Sequence, residues 1–213
     1  MPDRLLVFDL DGTLIDSRAD LAASANHLRA AWGLPPLPEE EVGRHIGHGV
    51  GKLVRGILGV EEAREVERAM DVFRRHYREH CLDRTRLYPG VAETLEALAG
   101  RRMAVVTNKP KSFTDAILAG LGVAARFDEV LGADSTAKRK PDPMPILVVM
   151  ERLGVGAGET LVVGDSDTDV VAGKAAGCRT CGVTYGIGDL AVMRASGPDC
   201  EIERFADLLS VVR

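Results

Sequence analysis

Three short apolar runs in this 213-residue chain end in side chains suited to a charged, oxygen-rich ligand. LLVF at 5–8 runs into Asp9, followed by Leu10, Asp11, Gly12 and Thr13. MAVV at 103–106 runs into Thr107 and Asn108, and LVV at 161–163 leads through Gly164 to Asp165, with Asp167 and Asp169 close behind. On an extended strand Asp9 and Asp11 point to opposite faces. A turn at Asp11-Gly12-Thr13 can bring both to one cleft, where Asp165 adds a third carboxylate. Carboxylates crowded in this way repel one another unless a cation neutralises them. An all-oxygen site with few protein ligands and room for a phosphate favours Mg2+. Thr107, Asn108 and backbone N–H groups can hold phosphate oxygens, and Lys140, in the polar stretch KRKPDP, can supply a compact positive charge. Taken singly, each string has a plainer explanation: a surface D-x-D, a strand end, a solvated basic loop, a helix cap. The ordered set, each member at its own strand end, is what points to chemistry.

The elements that must position these groups follow from the hydrophobic pattern. Continuous apolar runs at 5–8, 103–106, 161–163 and 181–184 suit strands buried on both faces. Helical spacing fills 91–99, 113–121, 145–153 and 170–176, with Gly after several of these segments as a stop. Strand alternating with helix predicts an α/β fold, a Rossmann-like parallel sheet with helices on both faces. Ligands then bind outside the carboxyl ends of the strands, so the three clusters converge. From about 17 to 86 no buried strand is expected. Helical spacing at 21–31 and 61–77, with PPLPEEE between helices, predicts a small all-helical cap domain at 17–86 inserted into a core of 1–16 and 87–213. His27, His76 and His80 fall on these helical patterns and read as surface or packing residues.

Composition narrows the function classes. With 46% apolar and 28% charged residues the chain can bury an ordinary globular core. A net charge of −5 lacks the basic footprint of a nucleic-acid binder, so no nucleic-acid partner is expected. The opening MPDRLLVFDLDG has too short an apolar run for a signal peptide, and no apolar stretch is long enough for a membrane span. The expectation is a cytoplasmic protein with no membrane partner. Cys81, Cys178, Cys181 and Cys200 form no disulfide framework, and the lone C-x-x-C lacks two further zinc ligands, so the cysteines read as buried or incidental thiols.

In this order the clusters resemble the motifs of the haloacid dehalogenase-like phosphatase superfamily. FDLDGTLIDS at 8–17 is similar to its first motif, VVTNK to its second, KPDP to its third and VGDSDTD to its fourth. MERLGV, AAGC and VTYG resemble the phosphoglycolate phosphatase branch. The resemblance implies a magnesium-dependent hydrolase of small organic phosphate monoesters, with 2-phosphoglycolate cleaved to glycolate and phosphate. A phosphosugar mutase, a pyrophosphatase and a sugar phosphatase are the alternatives within the same superfamily. It further implies that Asp9 attacks phosphorus and becomes an aspartyl phosphate. Asp11 protonates the leaving alkoxide and then deprotonates the hydrolytic water. Thr107 hydrogen-bonds the phosphoryl group, and Lys140 stabilises Asp9 and the phosphoryl charge. The metal falls to the Asp9 carboxylate, the Asp11 main-chain carbonyl and Asp165, with Asp169 as ligand or supporting partner. Dehalogenation is disfavoured, because an alkoxide leaving group needs the proton of Asp11 and a halide does not.

The string GRHIGHGVGK at 43–52 carries four glycines, which work against a helix and predict a flexible loop between cap helices. In the resembling phosphatases such a loop faces the active site and helps select substrate. Arg44, His48, Lys52 and Arg55 are the donors expected to meet a substrate carboxylate.

Overall fold

The computed structural model describes residues 2–213. Its central sheet has six parallel strands in the order β5-β4-β1-β6-β7-β8. In chain order these are β1 (Leu5–Phe8), β4 (Arg102–Val106), β5 (Glu129–Leu131), β6 (Thr160–Gly164), β7 (Arg179–Val183) and β8 (Cys200–Ile202), with β2 (Ile15–Asp16) and β3 (Arg86–Leu87) forming a separate antiparallel ribbon. β1 lies between β4 and β6, and its four residues are essentially inaccessible, which is why its sequence is apolar without alternation. Leu6 and Phe8 enter the larger apolar cluster and Leu5 and Val7 the smaller one on the opposite face, as the two-residue strand period requires. The helices α5 (Val91–Ala97), α6 (Lys111–Gly120), α7 (Met144–Leu153), α8 (Asp167–Ala175), α9 (Leu190–Ala195) and α10 (Leu208–Val211) complete the α/β layers.

Two short edge strands, β5 and β8, were not expected. Each has three residues and only one of them fully buried, so neither leaves a continuous apolar run to read.

Between β2 and β3 lie four helices and no strand: α1 (Arg18–Ala31), α2 (Glu39–Gly43), α3 (Val50–Leu58) and α4 (Ala63–His80). α4 buries Val66, Ala69, Phe73 and Tyr77, a single stripe at helical spacing. The larger apolar cluster runs without a break from the sheet into this insert. Where the chain leaves and returns, Ile15 pairs with Leu87 and Asp16 with Arg86. Beside that ribbon the buried Asp20 carboxylate accepts from the amides of Arg84 and Thr85 and from the Thr85 hydroxyl, at 2.7–3.1 Å. The glycine-rich stretch is more ordered than expected. Only residues 44–49 are non-helical, and Gly51 and Lys52 already belong to α3. The amphipathic sequence of α3, with Leu53, Val54 and Ile57 buried, outweighs the propensity cost of its glycines.

Candidate active site

Asp9, Thr107 and Asp165 each stand one residue beyond β1, β4 and β6, at adjacent carboxyl ends of the sheet. Asp9 continues the ladder for one step, its amide donating to Val163 O at 2.9 Å, and Thr107 does the same toward Leu131 O at 3.0 Å. Backbone pairing thus fixes where the side chains begin. Lys140 arrives from the β5–α7 connection and is buried among them. Its ammonium donates to Asp9 Oδ1 at 2.9 Å, to Asp169 Oδ1 at 2.5 Å and to the Val106 carbonyl at 2.5 Å. Asp169 sits in the first turn of α8, and its other oxygen accepts from the Ser166 amide at 3.1 Å and hydroxyl at 2.6 Å. The string GDSDTD is therefore a helix cap and a Lys140 holder at once.

One oxygen from each of Asp9, Asp165 and Asp169 lies within 4.8 Å of the others, all three residues being buried. Asp165 Oδ2 accepts from the amides of Ile187 and Gly188, both at 2.8 Å. Gly12, at φ +86°, lies so close that a Cβ there would collide with the Asp165 carboxylate. Burial raises the Asp165 pKa to about 8, with Asp9 and Asp169 adding to the shift and the two amides opposing it. Burial likewise raises Asp9, to about 6, against the pull of Lys140. Burial alone would lower Lys140, but Asp169 and Asp9 outweigh it and hold the ammonium above its ordinary range.

Asp11 stands apart from that trio. Both its oxygens accept from Lys109 Nζ at 2.9 Å, and Oδ1 also accepts from Ser17 Oγ at 2.6 Å. Lys109 was missed at the sequence level. The available signal was its position two residues after Thr107, and so on the same side of the chain. It is buried, and its ammonium lies 4.8 Å from the centre of the Tyr77 ring on α4. Four carboxylates (Asp9, Asp11, Asp165, Asp169) thus face two ammoniums (Lys109, Lys140) in a largely buried space. The excess of two negative charges and the oxygen-only trio fit one hard divalent cation.

The Asn108 side chain, expected at the phosphate, makes contacts within the protein. Its amide N donates to the Gly47 carbonyl at 3.1 Å and the Lys140 carbonyl at 3.0 Å, and its Oδ1 has no partner among the described residues. Both donors are committed, so its side chain ties residues 44–49 to the Lys140 loop.

A small chamber of about 40 Å³, open to solvent on one side, lies above Asp9, Asp11 and Thr107. Leu21, Ile46, Val50, Leu53, Phe73 and Phe113 make its walls mainly apolar. None of Arg44, His48, Lys52 and Arg55 lines it. Arg44 and Lys52 are exposed, Arg44 pairs with Glu40, and Arg55 pairs with Glu61. Their long side chains keep contact with water at little cost, whereas a place on the chamber wall would strip that hydration. His45 lines the chamber instead.

The family model for haloacid dehalogenase-like hydrolases matches residues 6–183. The phosphoglycolate phosphatase of Haemophilus influenzae (strain ATCC 51907) is 40% identical, over 98% of each chain. That of Pectobacterium atrosepticum is 41% identical, over 98% of this chain and 92% of its own. Among solved structures, a predicted phosphoglycolate phosphatase from Haemophilus somnus 129pt superposes with a TM-score of 0.93, at 36% identity over 98% of this chain and 97% of that one.

Proposed function

This chain belongs to the haloacid dehalogenase-like hydrolase family, and we propose that it is a magnesium-dependent phosphatase whose substrate is 2-phosphoglycolate. The observation that carries the reading is the clamped nucleophile: Asp9 held by Lys140, beside Asp165, under a small chamber that Asp11 also lines. Relatives about 40% identical over nearly their whole length carry the name phosphoglycolate phosphatase, which supports the substrate.

In this reading an oxygen of Asp9 attacks phosphorus and the bond to the leaving oxygen breaks. Asp11 gives that oxygen its proton, so glycolate departs as a neutral alcohol at that end. Asp11 then takes a proton from water, which attacks the same phosphorus and releases Asp9 and inorganic phosphate. Lys140 keeps Asp9 ionised and oriented, and the Thr107 hydroxyl holds a phosphoryl oxygen. Lys109 orients Asp11, and proton delivery requires one of its two bonds to that carboxylate to open. Asp9, Asp165 and the Asp11 main-chain carbonyl would hold magnesium, which supplies positive charge for the transferring phosphoryl group. Asp169, with both oxygens already committed to Lys140 and Ser166, positions Lys140. At 40 Å³ the chamber has room for a few waters only, so the insert at 17–86 acts as a cap that opens to admit the ester and closes over it.

The test is phosphate release from 2-phosphoglycolate with magnesium, repeated after chelation. Turnover that stops with the chelator and returns with magnesium is expected. Full activity without metal, or conversion of a sugar phosphate to its isomer in place of phosphate release, would refute the proposal.

A further inference from the structure

We infer that His45 is the specificity residue of the chamber, its imidazole receiving the carboxylate of the phosphorylated acid while the strand ends hold the phosphate. The inference rests on the substrate reading above. A small ester with a second anion must bring that anion into the chamber. There it loses part of its water, and the mainly apolar walls return nothing unless a donor meets it. The side-chain donors on the sheet side are committed to neighbouring residues, except the Thr107 hydroxyl, which the reading above gives to the phosphoryl group. Lys109 is bonded to both oxygens of Asp11, Lys140 to Asp9 and Asp169, and the Asn108 amide to two carbonyls. On the insert side the polar side chains that line the chamber are His45 and Tyr77.

His45 is seated there by a deliberate gap in α3. A Cβ on Gly56 would collide with its ring at Nδ1, so only glycine at 56 lets the imidazole lie where it does. Gly56 is exposed, and in a helix interior a glycine is unfavourable. The fold therefore accepts a weaker helix where the ring passes. Tyr77, with the Lys109 ammonium against its ring, is the other polar side chain beside the chamber. Its hydroxyl is buried and has no hydrogen-bond partner among the described residues. A carboxylate has lone pairs enough to accept from both side chains.

The experiment compares kcat/KM for 2-phosphoglycolate and for p-nitrophenyl phosphate, which has no carboxylate, in the wild type, His45→Ala, His45→Gln and Gly56→Ala. His45→Ala is expected to lose on the order of tenfold or more on 2-phosphoglycolate, chiefly through KM, and less than about threefold on p-nitrophenyl phosphate. His45→Gln, whose amide still donates, recovers part of the loss. Gly56→Ala keeps the imidazole but displaces it, and reproduces the selective loss without weakening α3. It also decides the question should His45→Ala fold poorly. Equal loss on both substrates, or none on 2-phosphoglycolate, overturns the assignment of His45 and leaves the phosphatase reading standing. A wild type that hydrolyses p-nitrophenyl phosphate but not 2-phosphoglycolate overturns the substrate reading, and the role of His45 with it.

Discussion

On the sheet side of the chamber, Lys140 is bonded at once to Asp9, Asp169 and a main-chain carbonyl, and Asp169 is bonded in turn to Ser166. On the insert side, residues 44–49 reach the sheet through one side-chain hydrogen bond among the described residues, from Asn108 to the Gly47 carbonyl. The floor is over-determined: Lys140, Asp169, Asp165 and Asp11 each have at least two partners, and Asp9, Thr107 and Asp165 start from strand ends whose register is fixed by the sheet. The wall is held by apolar packing and a single clasp. A floor of this kind stores electrostatic repulsion and is suited to chemistry. A wall of this kind can move and is suited to admitting and selecting a substrate.

The largest effect that separates the two regions is expected from Asp9→Asn. Turnover should fall by more than about 10³-fold, since an amide is no nucleophile. Stability of the metal-free protein at pH 8 should hold or rise. Burial has pushed the Asp9 carboxyl up to about 6, so at pH 8 its charge opposes folding, and a neutral isostere removes that cost. Chemical denaturation of wild type and variant in chelator measures this. A loss of more than about 2 kcal/mol would mean that Asp9 holds the fold together, and the contrast between a repulsive floor and a packed wall would collapse.

An intermediate effect, of the opposite kind, is expected from Asn108→Ala. Two carbonyls, of Gly47 and Lys140, lose their donor, at about 1–3 kcal/mol for each that stays buried and unpaired. The wall should respond first. Amide exchange at residues 43–52 should quicken while that of β1, β4 and β6 stays slow, and kcat/KM should fall about 10- to 100-fold on every substrate alike. Unchanged exchange in the loop would show that packing alone closes the chamber.

The same difference explains what could be read from the sequence. Asp9, Thr107 and Asp165 were legible because each follows a continuous apolar run, and a parallel sheet leaves such residues nowhere to go but its carboxyl edge. Lys140 was legible only as a member of the ordered set, since KRKPDP alone looks like a solvated loop. The wall was not legible in this way. Arg44, His45, His48 and Lys52 lie within nine residues, and which of them faces inward depends on where α3 begins and on the gap at Gly56. Composition encodes neither. The short strands β5 and β8 escaped because their hydrogen bonds come from the sheet already formed, not from an apolar run of their own.

The smallest expected effect concerns pH, and there the two regions should answer with opposite signs. His27 on α1 and His76 and His80 on α4 stack in a column, with ring centres 4.2 and 4.3 Å apart. His76 also shares a 2.9 Å hydrogen bond with Ser24 Oγ, and His80 a 2.8 Å bond with Asp83. Burial lowers the His76 pKa, and the charges of His27 and His80 lower it further, against Glu79 and Asp83. The unfolded chain, with an ordinary histidine near 6.5, then takes up the proton more readily than the folded one. The insert's contribution is complete above about 6.5 and is lost as pH falls below it. In the floor the sign reverses. Asp9 and Asp165 are raised above ordinary carboxylates, so in metal-free protein their contribution is present at low pH and is lost as pH rises through about 6 and about 8. Amide exchange in chelator at about pH 5.5 and about pH 7.5, corrected for intrinsic rates, should show α1 and α4 less protected at the lower pH and the ends of β1 and β6 less protected at the higher. His76→Gln should flatten the first trend and leave the second. Magnesium should flatten the second and leave the first, because a divalent cation neutralises the floor and does nothing for the column. If His76→Gln leaves the insert's acid response intact, the column is packing with no electrostatic cost, and the contrast is confined to the chamber itself.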